Sequence, residues 1–190
     1  MIVFDIGANN GADSFHFAAD PSITVYAFEP TPELIEMHLK HLVRENYIVI
    51  QKAVGNYCGM VDFFVAGNFD WGCSSIHQFN DNLEHTWHGR KDFKVTHVHQ
   101  VEMITLEKFI DENPHITQID YLHCDTQGND LNVLMGFGRH IGKLAKGVIE
   151  VYAKNPLYKN INNSLENATA FLESNNFRII QLFMLTGMIP

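Results

Sequence analysis

Two short stretches near the N-terminus carry residue types whose spacing suits a nucleoside-like ligand. The first is Asp5-Ile6-Gly7-Ala8-Asn9-Asn10-Gly11, which begins inside the apolar run at 2–6. Glycines at the end of a buried strand let the backbone turn sharply and approach a ligand closely, and the helix that follows offers free N–H groups. The second is Phe28-Glu29-Pro30, which ends the next apolar run eighteen positions after Gly11. A carboxylate there can accept two ribose hydroxyls, at about the 20-residue spacing of dinucleotide sites. The loop lacks the Gly-x-Gly-x-x-Gly order that seats a pyrophosphate. It also sets a carboxylate, Asp5, at the strand end, which repels phosphate and suits an ammonium or sulfonium group. The plainer reading is a tight strand–helix turn, with Glu29 as a solvated charge at the next helix N-terminus. The pairing of loop and carboxylate favours the ligand.

Two later carboxylates also fall at strand ends. Asp125 closes an apolar run, where it either positions or deprotonates an acceptor, or binds a cofactor amino group, or caps the helix that begins near Gly128. Glu150 follows Gly147-Val148-Ile149. Buried there it needs a partner, and it either reaches the same cleft or pairs with a nearby Lys or His. His123 reads as a satisfied core residue. His97 and His99 share one strand face, a spacing that can bind metal. His-x-His alone fits an exposed polar face better, and no metal is expected. Within the long loop at 67–90, His85 and His88 read as solvent-facing, with a loop base as the alternative. Trp71 and Trp87 either stack on a sugar ring or adenine or pin the loop to the core.

The elements that must position these groups alternate. Apolar patterning predicts strands over 2–6, 23–28, 47–54, 61–66, 95–101, 119–125, 147–152 and 177–185. Helices are expected over 11–19, after Thr31-Pro32, and over 105–112, 129–137 and 164–174, with Thr31, Thr105 and Ser164 as caps. Repeated strand–helix–strand units imply a mostly parallel sheet with helices on both faces.

The chain has 190 residues, one domain by length (1–190) and enough for a sizeable core. Its formal net charge of -9, with Lys and Arg scattered, disfavours a nucleic-acid partner. No apolar run reaches the length of a membrane span. The three cysteines, Cys58, Cys73 and Cys124, do not read as a disulfide framework. Met1 is followed at once by a strand with no basic leader. A cytoplasmic protein is the expectation.

The motifs resemble those of the FkbM-type S-adenosylmethionine-dependent methyltransferases. The resemblance covers about residues 2–151. It rests on Phe4 to Gly11, Tyr26-Ala27-Phe28-Glu29-Pro30, Ala53-Val54-Gly55, Gly72-Cys73-Ser74-Ser75-Ile76, the stretch from Val101 to Phe109, and Asp120 to Asp130. It implies a Rossmann-like class I methyltransferase fold of seven strands, the last antiparallel. It further implies S-adenosylmethionine as cofactor and O-methylation of a hydroxyl on a sugar or other small natural product. By matching position, Asp5, Gly7, Ala8, Asn9 and Gly11 would form the loop at the methionine end. Glu29 and Pro30 would lie at the ribose, Ala53 and Val54 near the adenine with Ser74 and Ser75 close by, and Asp125 would face the transferable methyl. Two departures stand out. The family's Asp-Val-Glu-Gly-x-Glu is Asp125-Thr126-Gln127-Gly128-Asn129-Asp130 here, so both glutamates have changed, and the N-terminal extension common in the family is missing. Two other readings therefore stand beside the enzyme: a module that binds the cofactor without turnover, and a nucleotide-dependent oxidoreductase, which the loop spacing and Asp5 disfavour.

Overall fold

The computed structural model describes residues 1–67, 71–81, 83 and 93–183. Five strands form one sheet: β1 (Ile2–Ile6), β2 (Thr24–Phe28), β3 (Tyr47–Ile50), β7 (Tyr121–Cys124) and β8 (Gly147–Ile149). Their order is β3-β2-β1-β7-β8, and every pairing is parallel. The order reverses beside β1, so β1 and its two neighbours carry their C-terminal loops to one switch point, where open parallel sheets bind ligands.

Alternation along β1 and β2 builds a core on each face of this sheet. Phe4, Ile6, Tyr26 and Phe28 face α2 (Leu106–Glu112) and α3 (Asp130–Met135), with Phe109 among the same cluster. The rings of Phe4, Tyr26, Phe28 and Phe109 meet edge-on, with centroids 5.0–5.9 Å apart, a geometry that adds to plain apolar burial. Phe171 and Leu172 of α4 (Leu165–Ser174) pack onto this side as well. Val3, Val25 and Ala27 face the other way, onto Ala18, Leu39 and Ile35 of α1 (Pro32–Met37). Helices thus cover both faces. Thr105 and Ser164 cap α2 and α4 through their side chains, accepting from Lys108 N and Asn167 N. Thr31 occupies the cap position of α1 without a side-chain bond.

The remaining strands make a second sheet. β6 (Val95–Ile104) lies between β4 (Ala53–Val54), parallel to it, and β5 (Gly59–Ala66), antiparallel to it. The expectation of one seven-stranded sheet is therefore corrected to five parallel strands plus a three-stranded sheet. One cause is local. The strand expected over 47–54 breaks where Lys52 N bonds back to Ile50 O at 2.9 Å, and Ala53 and Val54 leave β2 to pair with Met103 and Ile104. The other lies at the C-terminus. Residues 177–183 hold no strand, and Ile180, Leu182 and Phe183 stand exposed rather than pressed on the sheet. Among the described residues no helix is long and apolar enough to cross a membrane.

Candidate functional site

The ends of β1, β2, β4 and β7 open onto a cleft of about 700 Å³, counting the solvent it meets. Of the residues singled out in the sequence, Gly7, Asn9, Glu29, Pro30, Ala53, Val54, Ser74 and Asp125 line it together. They come from positions 7 to 125, brought to one place by the parallel order of the strands. His85, His88 and Trp87 lie outside the described residues, as does the side chain of Trp71.

The glycine loop is held at both edges. Gly7 N and Ala8 N both donate to Phe28 O at 2.9 Å, and Asp125 N donates to Ile6 O at 3.0 Å. Gly7 has φ +85°, and a Cβ there would stand 2.0 Å from the Asp125 carbonyl oxygen. Only glycine lets the first and fourth loops of the parallel sheet touch in this way. Asn9, at φ +49°, uses the tolerance of asparagine for left-handed backbone. Its N–H points at Glu29.

Glu29 is wired to backbone. One carboxyl oxygen accepts from Asn9 N at 2.9 Å and the other from Thr31 N at 2.8 Å. Burial pushes its pKa up to about 7 against these hydrogen bonds, and the charge of Asp5 adds to the rise. The Thr31 hydroxyl, fully buried in the cleft wall beside Glu29, completes no hydrogen bond of good geometry. A polar ligand reaching Glu29 would therefore meet a second polar group ready for it.

Of the residues expected to bind the cofactor or act in catalysis, five do not line the cleft. Asp5, expected at the methionine end, turns its side chain behind the loop instead. It is fully buried, and His123 Nδ1 lies 2.9 Å from its Oδ1. That hydrogen bond raises the His123 pKa, against its burial. Asp5 and His123 sit opposite each other across β1 and β7, so their side chains share a face. Asp5 thus pairs with His123 rather than presenting its charge to a ligand. Ala8 packs in the core beneath the loop. Gly11 lies against Leu42, Leu39 and the Tyr47 hydroxyl. Ser75 sits behind the wall, where its Oγ donates to Gln127 O at 2.7 Å and so braces the β7 loop.

Glu150, the fifth, reaches the cleft through one intermediary. Gln127 lines the cleft at φ +54°, and its Nε2 donates to Asp125 Oδ1 at 2.6 Å and to Glu150 Oε2 at 3.1 Å. Tyr158 Oη lies 2.8 Å from Gln127 Oε1 and 2.8 Å from Cys73 O. Burial holds the Glu150 carboxyl well above the usual carboxylate range. The charge of Asp125, a hydrogen bond shared with it, and the charge of Asp130 push the same way. Asp130 lies beneath, fully buried. It accepts from Thr126 Oγ1 at 3.0 Å and Glu150 N at 3.1 Å, and burial and Asp125 push it up to about 7. Like charges this close favour holding a proton in common. The cluster can therefore take up or release a proton at the cleft wall.

Several wall residues had no signal in spacing. Lys52, Phe63 and Asn129 line the cleft, and Asn129 Nδ2 ties the β7 loop to Val54 O at 2.9 Å. Tyr158 reaches the cluster from a stretch with no motif. Gln127 drew notice only as a departure from the family pattern, whereas the structure makes it the bridge between two acids.

A mostly parallel α/β sheet, with its cleft at the strand-order reversal, a glycine loop on β1 and a carboxylate ending β2, defines the class to which this protein belongs. The model of the methyltransferase FkbM domain family matches residues 5–179, and the chain belongs to that family of methyltransferases. No curated protein and no solved structure gives a match.

Proposed function

We propose that the cleft binds S-adenosylmethionine and that the protein transfers a methyl group to a hydroxyl of a small acceptor, a sugar or another small natural product. The observation that carries this reading is the pairing, across one cleft, of Glu29 with a proton-holding acid cluster at the β7 tip. In this reading Glu29 takes the ribose hydroxyls, with the Thr31 hydroxyl beside it. Ala53 and Val54 pack the adenine, and Gly7 and Asn9 line the methionine end. When bound, S-adenosylmethionine supplies an electrophilic methyl on a sulfonium sulfur. Asp125 would orient the acceptor hydroxyl and take up its proton. The Gln127 amide holds Asp125 and Glu150 in position, and the carboxyls share the proton. The free cysteines, of which Cys73 and Cys124 are buried, suit the reducing cytoplasm as its compartment.

A specific observation supports a second reading. The Gln127 amide already occupies both acids, which fits a module that binds the cofactor without turnover. Calorimetry with S-adenosylhomocysteine and with NAD tests the cofactor: the first is expected to bind and the second not. NAD binding without S-adenosylhomocysteine binding sinks both readings. Mass spectrometry of a panel of hydroxylated acceptors incubated with S-adenosylmethionine then separates them, since a methylated product requires the enzyme.

A further inference from the structure

Away from the acid cluster, three metal-ligating side chains converge from two elements. Along β6, Thr96 and Gln100 face solvent, while His97 and His99 turn inward with Val101 and Met103. His97 stands opposite Val65 and His99 opposite Phe63 in the antiparallel ladder. The expected exposed polar face is therefore turned toward the core side, and it meets α1. Glu33 Oε1 lies 3.2 Å from His97 Nε2 and 2.9 Å from His99 Nε2, and Glu33 Oε2 lies 3.0 Å from the latter. One ligand atom from each residue falls within 4.8 Å of the others. Ligands around a tetrahedral zinc stand about 3.3 Å apart when each is about 2.0–2.1 Å from the ion, so the set needs little movement to close on one.

Hydrogen bonding also orients one of the rings. Thr96 Oγ1 gives its hydrogen to Val65 O at 3.2 Å and lies 3.1 Å from His97 Nδ1. With its hydrogen so placed, the hydroxyl accepts from Nδ1–H. That tautomer aims the Nε2 lone pair of a neutral ring at a carboxylate oxygen, and two lone pairs facing each other call for a cation between them. A proton on Nε2 supplies one; a metal ion supplies another, with the outer hydrogen bond of a ligating histidine already made. The three side chains are 28–38% exposed, so an ion can enter from solvent and keep water on its open positions.

We propose that Glu33, His97 and His99 form a binding site for a divalent transition-metal ion of the zinc class. Two imidazoles and one carboxylate suit such an ion and do not suit magnesium or calcium, which take oxygen ligands. The site joins α1 to β6 at the back of the cleft wall. Thr31 and Leu34 flank Glu33 and line the cleft, as does Phe63 opposite His99. An ion there would brace that wall. The signal was half visible in the sequence: His-x-His is a weak pattern, and Glu33 stands 64 positions away from His97.

The test is titration of the full chain, stripped with a chelator, with zinc chloride in a calorimeter, repeated with cobalt(II) by visible absorption. Wild type is expected to take one equivalent that the His97→Ala/His99→Ala variant lacks. Glu33→Gln, at a partly exposed side chain outside the apolar clusters, is expected to bind at least about tenfold more weakly and to shift the cobalt band. Circular dichroism checks each fold, and Glu33→Gln decides alone if the double variant does not fold. Equal stoichiometry and affinity in wild type and variants, or no zinc uptake by wild type, overturns the proposal and leaves an ion-pair network only.

Discussion

The two sides of the cleft both present carboxyls, yet they hold them differently. Glu29 rests on two backbone N–H groups, one from the β1 loop and one from the start of α1. Its place is set by the main chain before any ligand arrives. Across the cleft, Asp125 and Glu150 are held by a side chain, the Gln127 amide, above the buried Asp130, and the three carboxyls repel one another. A backbone-held carboxylate is rigid and keeps one geometry. A side-chain cluster that shares a proton can exchange it. The first suits an invariant cofactor and the second an acceptor that must lose a proton, and the contrast can be broken at four points.

The largest effect is expected where the two sides touch. Gly7→Ala forces a non-glycine residue to φ +85° and drives its Cβ to 2.0 Å from Asp125 O. Backbone cannot yield there as a flexible side chain would, so a loss of about 3 kcal/mol or more is expected in urea denaturation. An unchanged midpoint means the two loops do not meet as described. Next is Glu29→Ala, which removes a carboxylate that anchors Asn9 and, in the proposed reading, two ribose hydroxyls. With charged hydrogen bonds contributing about 1.5–3 kcal/mol each, S-adenosylhomocysteine affinity should fall about 100-fold. A change within twofold reduces Glu29 to a loop anchor.

The third effect is one of pH. Glu29 goes from 4.5 to about 7 in the folded protein. A carboxyl with a raised folded pKa binds protons more tightly when folded, so its burial opposes folding once it must ionise. Stability therefore falls as pH rises from about 4.5 to about 7 and is flat above, by on the order of 3 kcal/mol for this one group. Ribose hydroxyls donate to the ionised form, so cofactor binding has the opposite trend. Affinity should rise up to about tenfold per unit below pH 7 and then level off. Calorimetry in two buffers of different ionisation heat reads the proton released. A pH-independent affinity with no proton release sinks the ribose role. In Glu29→Gln both slopes should vanish, while any slope due to the acid cluster remains.

What could be read from the sequence divides along the same line. The glycine loop, the β2 carboxylate and the caps of Thr105 and Ser164 are local patterns, with cause and effect within a few residues. The central strands are equally local, since each is an apolar run between polar breaks. The face toward which Asp5 points is not local: it depends on His123, brought alongside by strand pairing 118 positions away. The same holds for Glu33 beneath His97 and His99, and for Tyr158 on Gln127. The break at Gln51-Lys52 depends on a partner strand, since Val54 is as good a strand former as Val49 and only the pairing with Ile104 draws it to the other sheet. The placement of Gly7, Asn9 and Glu29 on one cleft wall, built on backbone and short spacings, could thus be read in advance. The acid cluster, assembled from side chains of three distant segments, could not.

The smallest of the four effects sharpens the contrast most. Gln127→Glu restores the residue usual in the family at the one position that bridges both acids. The amide donates to Asp125 and Glu150 at once; a carboxylate in its place can donate to neither and adds a negative charge to the cluster. At pH 8 the variant should be less stable by about 1–2 kcal/mol, from two lost hydrogen bonds and added repulsion. The sign reverses with acid: once protonated, the introduced carboxyl can donate one bond again, so most of the deficit should disappear by about pH 5. Denaturant midpoints at the two pH values measure this, and equal deficits at both rule out a charge-based origin. Cofactor affinity should stay within about twofold, because the Glu29 side of the cleft is held by main-chain groups that the substitution does not touch. If affinity instead falls with stability, the two sides are mechanically one unit, and the division between a rigid cofactor wall and a proton-exchanging acceptor wall does not hold.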